Sequence, residues 1–252
     1  MEAAAPSLPC KVCGETAVLF DVCDFANFCF RPATGPAELA GVAVWYYRCA
    51  ACGFLFTPLA DGWSADDFIA RIYTNDYARF DPEIAEDRPR ANAALIARLF
   101  DAHRGSLRIL DFGGASGALR DFLRADGFAD VASYDPFAGD GGSLPPGPFD
   151  LVTCFEVLEH ASEPQAMAAA LARLAAGDGL ILFSTLIQPP DIDIQRLRWW
   201  YAAPRNGHIS LHTSESLKAL WASAGLSFAS FGNSLHLAYR RLPPFAAGLI
   251  AR

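Results

Sequence analysis

Apolar residues change period along this chain, and the change marks its organisation. From Arg90 onward Ala94, Leu95, Leu99 and Phe100 recur at helical spacing, with Gly105 closing that helix. Leu107–Asp111 (LRILD) then reads as a short strand, Ala118–Ala125 as a helix and Asp130–Asp135 as a second strand. Phe149–Phe155 (FDLVTCF) is a third strand, Pro164–Ala176 a helix, Gly179–Thr185 (GLILFST) a fourth strand and Ser214–Ala224 a helix. Leu226–Phe231 and Leu235–Arg240 flank the turn signal Gly232-Asn233 and close the pattern as a pair. Strands that alternate with helices predict an α/β fold. Its sheet is expected to be mostly parallel, covered on both faces, with one antiparallel edge pairing.

The first ninety residues follow a different pattern. Val42–Arg48 (VAVWYYR) and Phe54–Thr57 are strand-like and close a cysteine-rich segment over residues 1–60. Residues 61–90 carry Phe68, Tyr73, Tyr77 and Phe80 and read as a short helix and a linker or lid. The α/β domain is expected over 91–252.

Four of the seven cysteines fall in two copies of one pattern, Cys10-Lys-Val-Cys13-Gly14 and Cys49-Ala-Ala-Cys52-Gly53. Each turn lets two thiolates converge on one tetrahedral ion, and two such turns form a four-cysteine, zinc-ribbon-like module. The 35 residues between them exceed the usual spacing of about 15–20, so the intervening segment must form an excursion of its own. Both turns are complete, which leaves the ion no open position and makes the expected zinc structural. Cys23 and Cys29 lie among Phe25, Phe28 and Phe30, where burial as small apolar groups and replacement of a ligand are both open. Cys154 reads as core.

Charge narrows the partners. Lys and Arg number 20 against 28 Asp and Glu, a net charge of −8, with no clustered basic stripe. Phosphate neutralisation needs such a stripe, so nucleic acid is not expected as the main partner. No apolar run reaches the ~20 residues that span a bilayer, and residues 1–14 lack a basic region followed by an apolar stretch. The expectation is a soluble cytoplasmic protein.

The candidate ligand loop is Asp111-Phe-Gly113-Gly114-Ala115-Ser-Gly117, placed at a strand end and opening a helix. Ligands of open α/β sheets bind beyond the strand C-termini, where glycines allow close approach and a helix N-terminus offers free N–H groups. Asp135 ends the next strand 24 positions later, where a carboxylate can accept from both ribose hydroxyls. A dinucleotide fingerprint would place glycine at 113, 115 and 118, and two of these are Ala115 and Ala118.

The loop instead resembles the first motif of the class I S-adenosylmethionine (SAM)-dependent methyltransferases, with Ala115 where a middle glycine is usual. Phe149-Asp150-Leu-Val followed by Glu156-Val-Leu-Glu159-His160 and Glu163-Pro164 is similar to one branch of that family. Gly177-Asp178-Gly179 and His208-Ile-Ser-Leu-His212-Thr-Ser214 are similar to its later segments. The resemblance covers about residues 90–240, and some of these enzymes carry an N-terminal Cys-x-x-Cys module. It implies a Rossmann-like sheet and SAM as cofactor, with Asp111 near the methionine amino end, Gly113, Gly114 and Gly117 making room, and Asp135 on the ribose. Phe155 and Glu156 would line the cofactor or substrate pocket.

Several roles stay open. Glu156 and His160 lie four apart and fit either a divalent ion or substrate hydroxyl, or a helix-start cap. His208 and His212 follow Trp199, Trp200 and Tyr201, and read as candidate general bases or as hydrogen-bonded structural histidines. Tyr73, Tyr77 and His160 are candidate substrate contacts, with core packing the alternative for the tyrosines. Only 13 residues separate Asp135 from Phe149, too few for a helix and a full strand, so no adenine-binding acid is assigned. The expected function is methyl transfer to a small polar metabolite, a sugar nucleotide or natural-product intermediate. The alternative is a non-catalytic SAM-binding scaffold whose zinc module contacts a protein.

Overall fold

The computed structural model describes residues 6–29, 39–138 and 143–250. Strands run β1 (Ser7–Pro9), β2 (Thr16–Asp24), β3 (Ala43–Cys49), β4 (Leu55–Phe56), β5 (Arg108–Phe112), β6 (Asp130–Tyr134), β7 (Phe149–Phe155), β8 (Ala175–Ser184), β9 (Ser210–Leu211), β10 (Ser227–Ser230) and β11 (Leu235–Tyr239). Helices are α1 (Ala65–Arg71), α2 (Asp87–Leu99), α3 (Ala118–Ala125), α4 (Pro164–Leu174), α5 (Ile192–Gln195), α6 (Ser214–Ser223) and α7 (Ala247–Ile250). The chain forms two compact units. The first takes the described parts of Met1–Asp81 with Leu158–Met167 and Thr185–Leu220; the second takes those of Pro82–Val157, Ala168–Ser184 and Trp221–Arg252.

The second unit is built on a six-stranded sheet in the order β10-β11-β8-β7-β5-β6. β5, β6, β7 and β8 pair in parallel. β7 and β8 are buried along most of their length, as their unbroken apolar runs require of strands covered on both faces. Only β11 runs against its neighbours, and it makes antiparallel pairs with both β8 and β10. The expected antiparallel edge pairing is present as β10–β11, and β11 adds a second where it joins β8. One core packs Ile96 and Phe100 of the α2 region and Leu119 and Leu123 of α3 onto Ile109, Leu151, Leu182 and Leu237. Burying each such side chain contributes about 1.5–3 kcal/mol. Cys154 is fully buried, as its apolar strand implies.

β8 begins at Ala175, four residues before the strand expected at Gly179. Its register against β7 slips between Phe149↔Ala175 and Leu151↔Leu180, so the expected turn is absorbed as an irregularity inside the strand. Among the described residues between Tyr134 and Phe149 there is no strand or helix, and the sheet ends at β6.

The first unit carries a five-stranded antiparallel sheet in the order β1-β2-β3-β4-β9. β9 joins it from far along the chain, pairing Leu211 with Leu55 and Ser210 with Phe56. The β3–β4 pair would otherwise present an unpaired edge of backbone groups, and β9 satisfies it. Val44, Tyr46, Leu55, Trp199, Tyr201 and Leu211 form the core beneath this sheet. The cysteine-rich segment expected over 1–60 is thus completed by 158–167 and 185–220. α1 starts at Ser64, whose hydroxyl accepts from Asp67 N–H while the Asp67 carboxylate accepts from Ser64 N–H. Among the described residues, no helix is long and apolar enough to cross a membrane.

Candidate active site

Asp111 lies in β5 and is buried. Its Oδ1 accepts from the Thr153 hydroxyl at 3.0 Å. Its Oδ2 is buried and makes no hydrogen bond, with the Ser133 hydroxyl beside it. Burial pushes the Asp111 carboxyl up to about 7; the Thr153 bond pulls against this, and the nearby Asp135 charge adds to it. Gly114 covers this spot closely, because a Cβ there would fall 2.2 Å from Ser133 Oγ and 2.3 Å from Asp111 Oδ2. Gly113 and Gly117 turn the loop at φ +78° and +80°, while Ala115 holds a left-handed φ of +46°. Asp135 accepts from Ala115 N–H at Oδ2 (2.9 Å) and from Phe137 N–H at Oδ1 (2.8 Å). A carboxylate has about four lone-pair positions, so two more donors can be received there.

At the end of β7, Phe155 packs against the core cluster described above. Glu156 takes φ +53° and folds back on Ser184: its N–H donates to Ser184 Oγ at 2.9 Å, and that hydroxyl donates to Glu156 Oε1 at 2.7 Å. Ser184 had no sequence signal as a partner, since the pairing depends on β7 and β8 lying side by side.

Within the first unit, four expected site residues come together. The rings of Tyr73 and Tyr77 lie 5.3 Å apart, those of Tyr73 and His160 6.1 Å, and those of His160 and His208 5.0 Å. Tyr201 completes the group, its ring 4.3 Å from His208 and its hydroxyl donating to the buried Glu159 Oε1 at 2.5 Å. His208 Nδ1 is 2.9 Å from the Tyr201 carbonyl. A carbonyl only accepts, so Nδ1 carries the proton. One donor atom from each of Glu159, His160 and His208 lies within 4.8 Å of the others, close enough to hold a divalent ion. Tyr77, by contrast, is buried, with its hydroxyl donating to Asn206 O at 3.1 Å.

His212 is placed elsewhere. It is fully buried against Phe54, ring centroids 4.8 Å apart, with Nδ1 3.3 Å from Ser216 Oγ. That setting fits the alternative reading of His212 as a hydrogen-bonded structural histidine. His208 is buried as well, but it sits in the group formed by Tyr73, His160 and Tyr201, from which His212 stands apart. Glu159 and Tyr201 are the residues that sequence reasoning passed over. The acid directly before His160 in the Glu156–His160 segment was the available signal for Glu159.

Residues 84–230 match the methyltransferase-domain family, 147 of the 252 residues. The chain belongs to that family. Its methyltransferase fold also appears in an O-methyltransferase family protein of Burkholderia thailandensis, with a TM-score of 0.53 and 16% identity over 74% of this chain and 64% of that one. The mitomycin 7-O-methyltransferase MmcR gives a TM-score of 0.50 and 13% identity over 72% and 62%. Curated relatives include the ubiquinone biosynthesis O-methyltransferase of Thiobacillus denitrificans, 49% identical over 49 residues, 19% of this chain and 21% of that protein. Its counterpart from Burkholderia vietnamiensis is 32% identical over 108 residues, 34% of this chain and 47% of that protein. The matched stretches thus span about a fifth to a half of these relatives' length.

SAM is the cofactor the family implies, and the methyltransferase residues fit it. The buried, partnerless Asp111 Oδ2 suits an ammonium, and the Asp135 carboxylate has room for hydroxyl donors.

The methyltransferase also carries a cysteine centre in its first unit. Cys10 and Cys52 sulfurs lie 3.7 Å apart, and Cys13 Sγ is 3.5 Å from both Cys49 and Cys52. A tetrahedral zinc centre of four thiolates with ~2.3 Å bonds has sulfur–sulfur edges of about 3.8 Å. Hydrogen bonding with Cys52 pulls the Cys10 thiol down to about 5, and the same contact pushes Cys52 up. Cys23 packs against the core of that unit, and Cys29 Sγ lies 3.7 Å from His208 Nδ1; neither joins the four-sulfur cluster.

Proposed function

We propose that this chain is a SAM-dependent methyltransferase that acts on a hydroxyl of a small polar metabolite, a sugar nucleotide or natural-product intermediate, and holds a structural zinc on Cys10, Cys13, Cys49 and Cys52. The observation that carries the donor assignment is Asp111 Oδ2. A buried carboxylate oxygen without a partner costs on the order of 1–3 kcal/mol or more, and a ligand ammonium would offset it. When bound, SAM supplies a sulfonium methyl group open to in-line displacement. Asp111 holds the amino end, Asp135 takes the ribose hydroxyls, and the 113–117 backbone allows close approach.

The oxygen acceptor is supported by the O-methyltransferase relatives. A hydroxyl must lose its proton as it attacks, and in this reading His208 Nε2 is the base that takes it. Its Nδ1–H is spent on the Tyr201 carbonyl, and Glu159 beside it stabilises the imidazolium that forms. Tyr73 and His160 supply the ring surface against which a small polar molecule would rest. The acidic balance of the chain favours a metabolite over nucleic acid.

Equilibrium binding of SAM and its demethylated product tests the donor assignment; absence of affinity at millimolar ligand overturns it. Isotopically labelled SAM with a metabolite extract, read by mass spectrometry, tests the transfer. Binding without any labelled product would favour the scaffold alternative.

A further inference from the structure

We infer that Gln165, Gln188 and Thr213 are positioning residues that fasten the two cysteine turns to the chain segments carrying Glu159, His160 and His208, so that order at the cysteine centre sets the geometry of that cluster. The inference rests on the proposed zinc and acceptor roles above and deepens them.

The cluster sits on backbone with little regular structure. Glu159 and His160 belong to a single 3-10 turn, Leu158–His160, and His208 lies between the turn Pro204–Asn206 and the two-residue strand β9. Such segments have no ladder of their own, so their backbone groups must be held by specific outside partners. The cysteine turns provide them. Within each turn an N–H is directed at sulfur, Val12 N to Cys10 Sγ at 3.4 Å and Cys52 N to Cys49 Sγ at 3.5 Å. The Cys10 and Cys49 carbonyls accept from Gly14 and Gly53 N–H inside the turns, while those of Val12, Cys52 and Gly53 are bound from outside.

On the first turn, Gln165 Nε2 donates to Val12 O at 2.7 Å, and Lys11 Nζ donates to Ser162 O at 3.0 Å. Ser162 and Gln165 follow His160 by two and five residues. On the second turn, the Thr213 hydroxyl donates to Cys52 O at 2.6 Å. Gln188 Nε2 donates at 2.9 Å to both Gly53 O and Leu211 O. Thr213 also closes over Gly53: at φ +71° a Cβ on Gly53 would lie 2.8 Å from Thr213 Cγ2, so this approach requires glycine. Thr213 follows His208 by five residues. The two fastened segments are then joined to each other, Ile209 N–H to Glu159 O at 2.9 Å and Ser210 Oγ to Ala161 O at 2.6 Å. Tyr46 on β3, the strand that ends at Cys49, donates its hydroxyl to His208 O at 2.7 Å.

Together these bonds hold backbone that has little regular structure of its own. Loss of the metal would free the two turns, and with them the segments that place the imidazoles.

The test uses the full chain labelled with 13C and 15N in histidine. Thr213→Val removes the hydroxyl at nearly constant volume, and Gln165→Met removes the amide at an exposed position where folding is not at stake. Imidazole resonances are compared with the wild type, together with zinc content and SAM affinity. We expect Thr213→Val to shift the His208 signals and Gln165→Met to shift those of His160. His103 and His236, in the second unit, should stay in place and SAM affinity should be unchanged. Thr213→Ser, which restores the hydroxyl, should return the His208 signals, and chelation of the wild type should shift both. Unmoved His160 and His208 signals in the variants, or in the zinc-free protein, overturn the inference. Failure to bind SAM in the wild type overturns the donor assignment instead, so the two failures are distinguishable.

Discussion

The backbone N–H of Ala115 donates to the Asp135 carboxylate at 2.9 Å while Ala115 holds φ +46°. The one loop residue that departs from the glycine pattern therefore keeps the left-handed turn and the bond to the second strand. L-residues pay about 1–2 kcal/mol for that conformation. Ala115→Gly should relieve that strain at some cost in unfolded-chain entropy, leaving melting temperature and SAM affinity near or slightly above the wild type. Gly114→Ala should behave oppositely. Its Cβ would strike Ser133 Oγ and Asp111 Oδ2, costing about 1–3 kcal/mol and abolishing SAM binding, as melting curves and calorimetry would read.

Asp111 gives a pH dependence of definite sign. Its carboxyl titrates at about 7 in the folded chain, against 3.8 without burial. The fold therefore binds this proton more tightly than the unfolded chain. Its contribution to stability is full below 3.8 and is lost as pH rises through about 7, on the order of 4 kcal/mol in total. Asp111→Asn removes that loss, so the variant should melt above the wild type at alkaline pH while binding SAM far more weakly. In the wild type an ammonium favours the ionised carboxylate. SAM affinity should rise with pH through about 7, with proton release on binding measured by calorimetry in buffers of different ionisation enthalpy.

Cys49→Ser should lower zinc content from one ion per chain to near zero and loosen the first unit. Metal binding contributes folding free energy where the ligands converge. The second unit has its own core, so SAM affinity should survive. Metal analysis beside SAM titration checks both halves, and retained zinc would refute the ligand set.

His208→Gln keeps the size of the side chain but removes the base. With a hydroxyl acceptor, turnover should fall by about 10²–10⁴ while SAM affinity holds. Tyr201→Phe removes the hydroxyl donated to Glu159 and should reduce turnover less, with a changed pH profile.

The local rules of the chain were enough to read α2, β5, α3, β6, β7, α4, β8, α6, β10 and β11 in order, but not α5 or β9. Periodicity, the glycine loop after Leu107–Asp111 and the turn at Gly232-Asn233 all act over a few residues. The same holds for the two Cys-x-x-Cys turns, whose spacing already brings sulfurs together in pairs. Which pairs meet, and what completes each sheet, depends on contacts between residues 36 to 161 positions apart. β9 pairing with β4, Tyr201 reaching Glu159 and Thr213 reaching Cys52 leave no periodic trace. His208 and His212 looked alike in sequence, four apart beside the same aromatics. The tertiary structure separated them, because one side chain met Tyr201 and His160 while the other was sealed between Phe54 and Ser216. Both imidazoles are buried, so what distinguishes them is the set of side chains that the packed whole brings beside each.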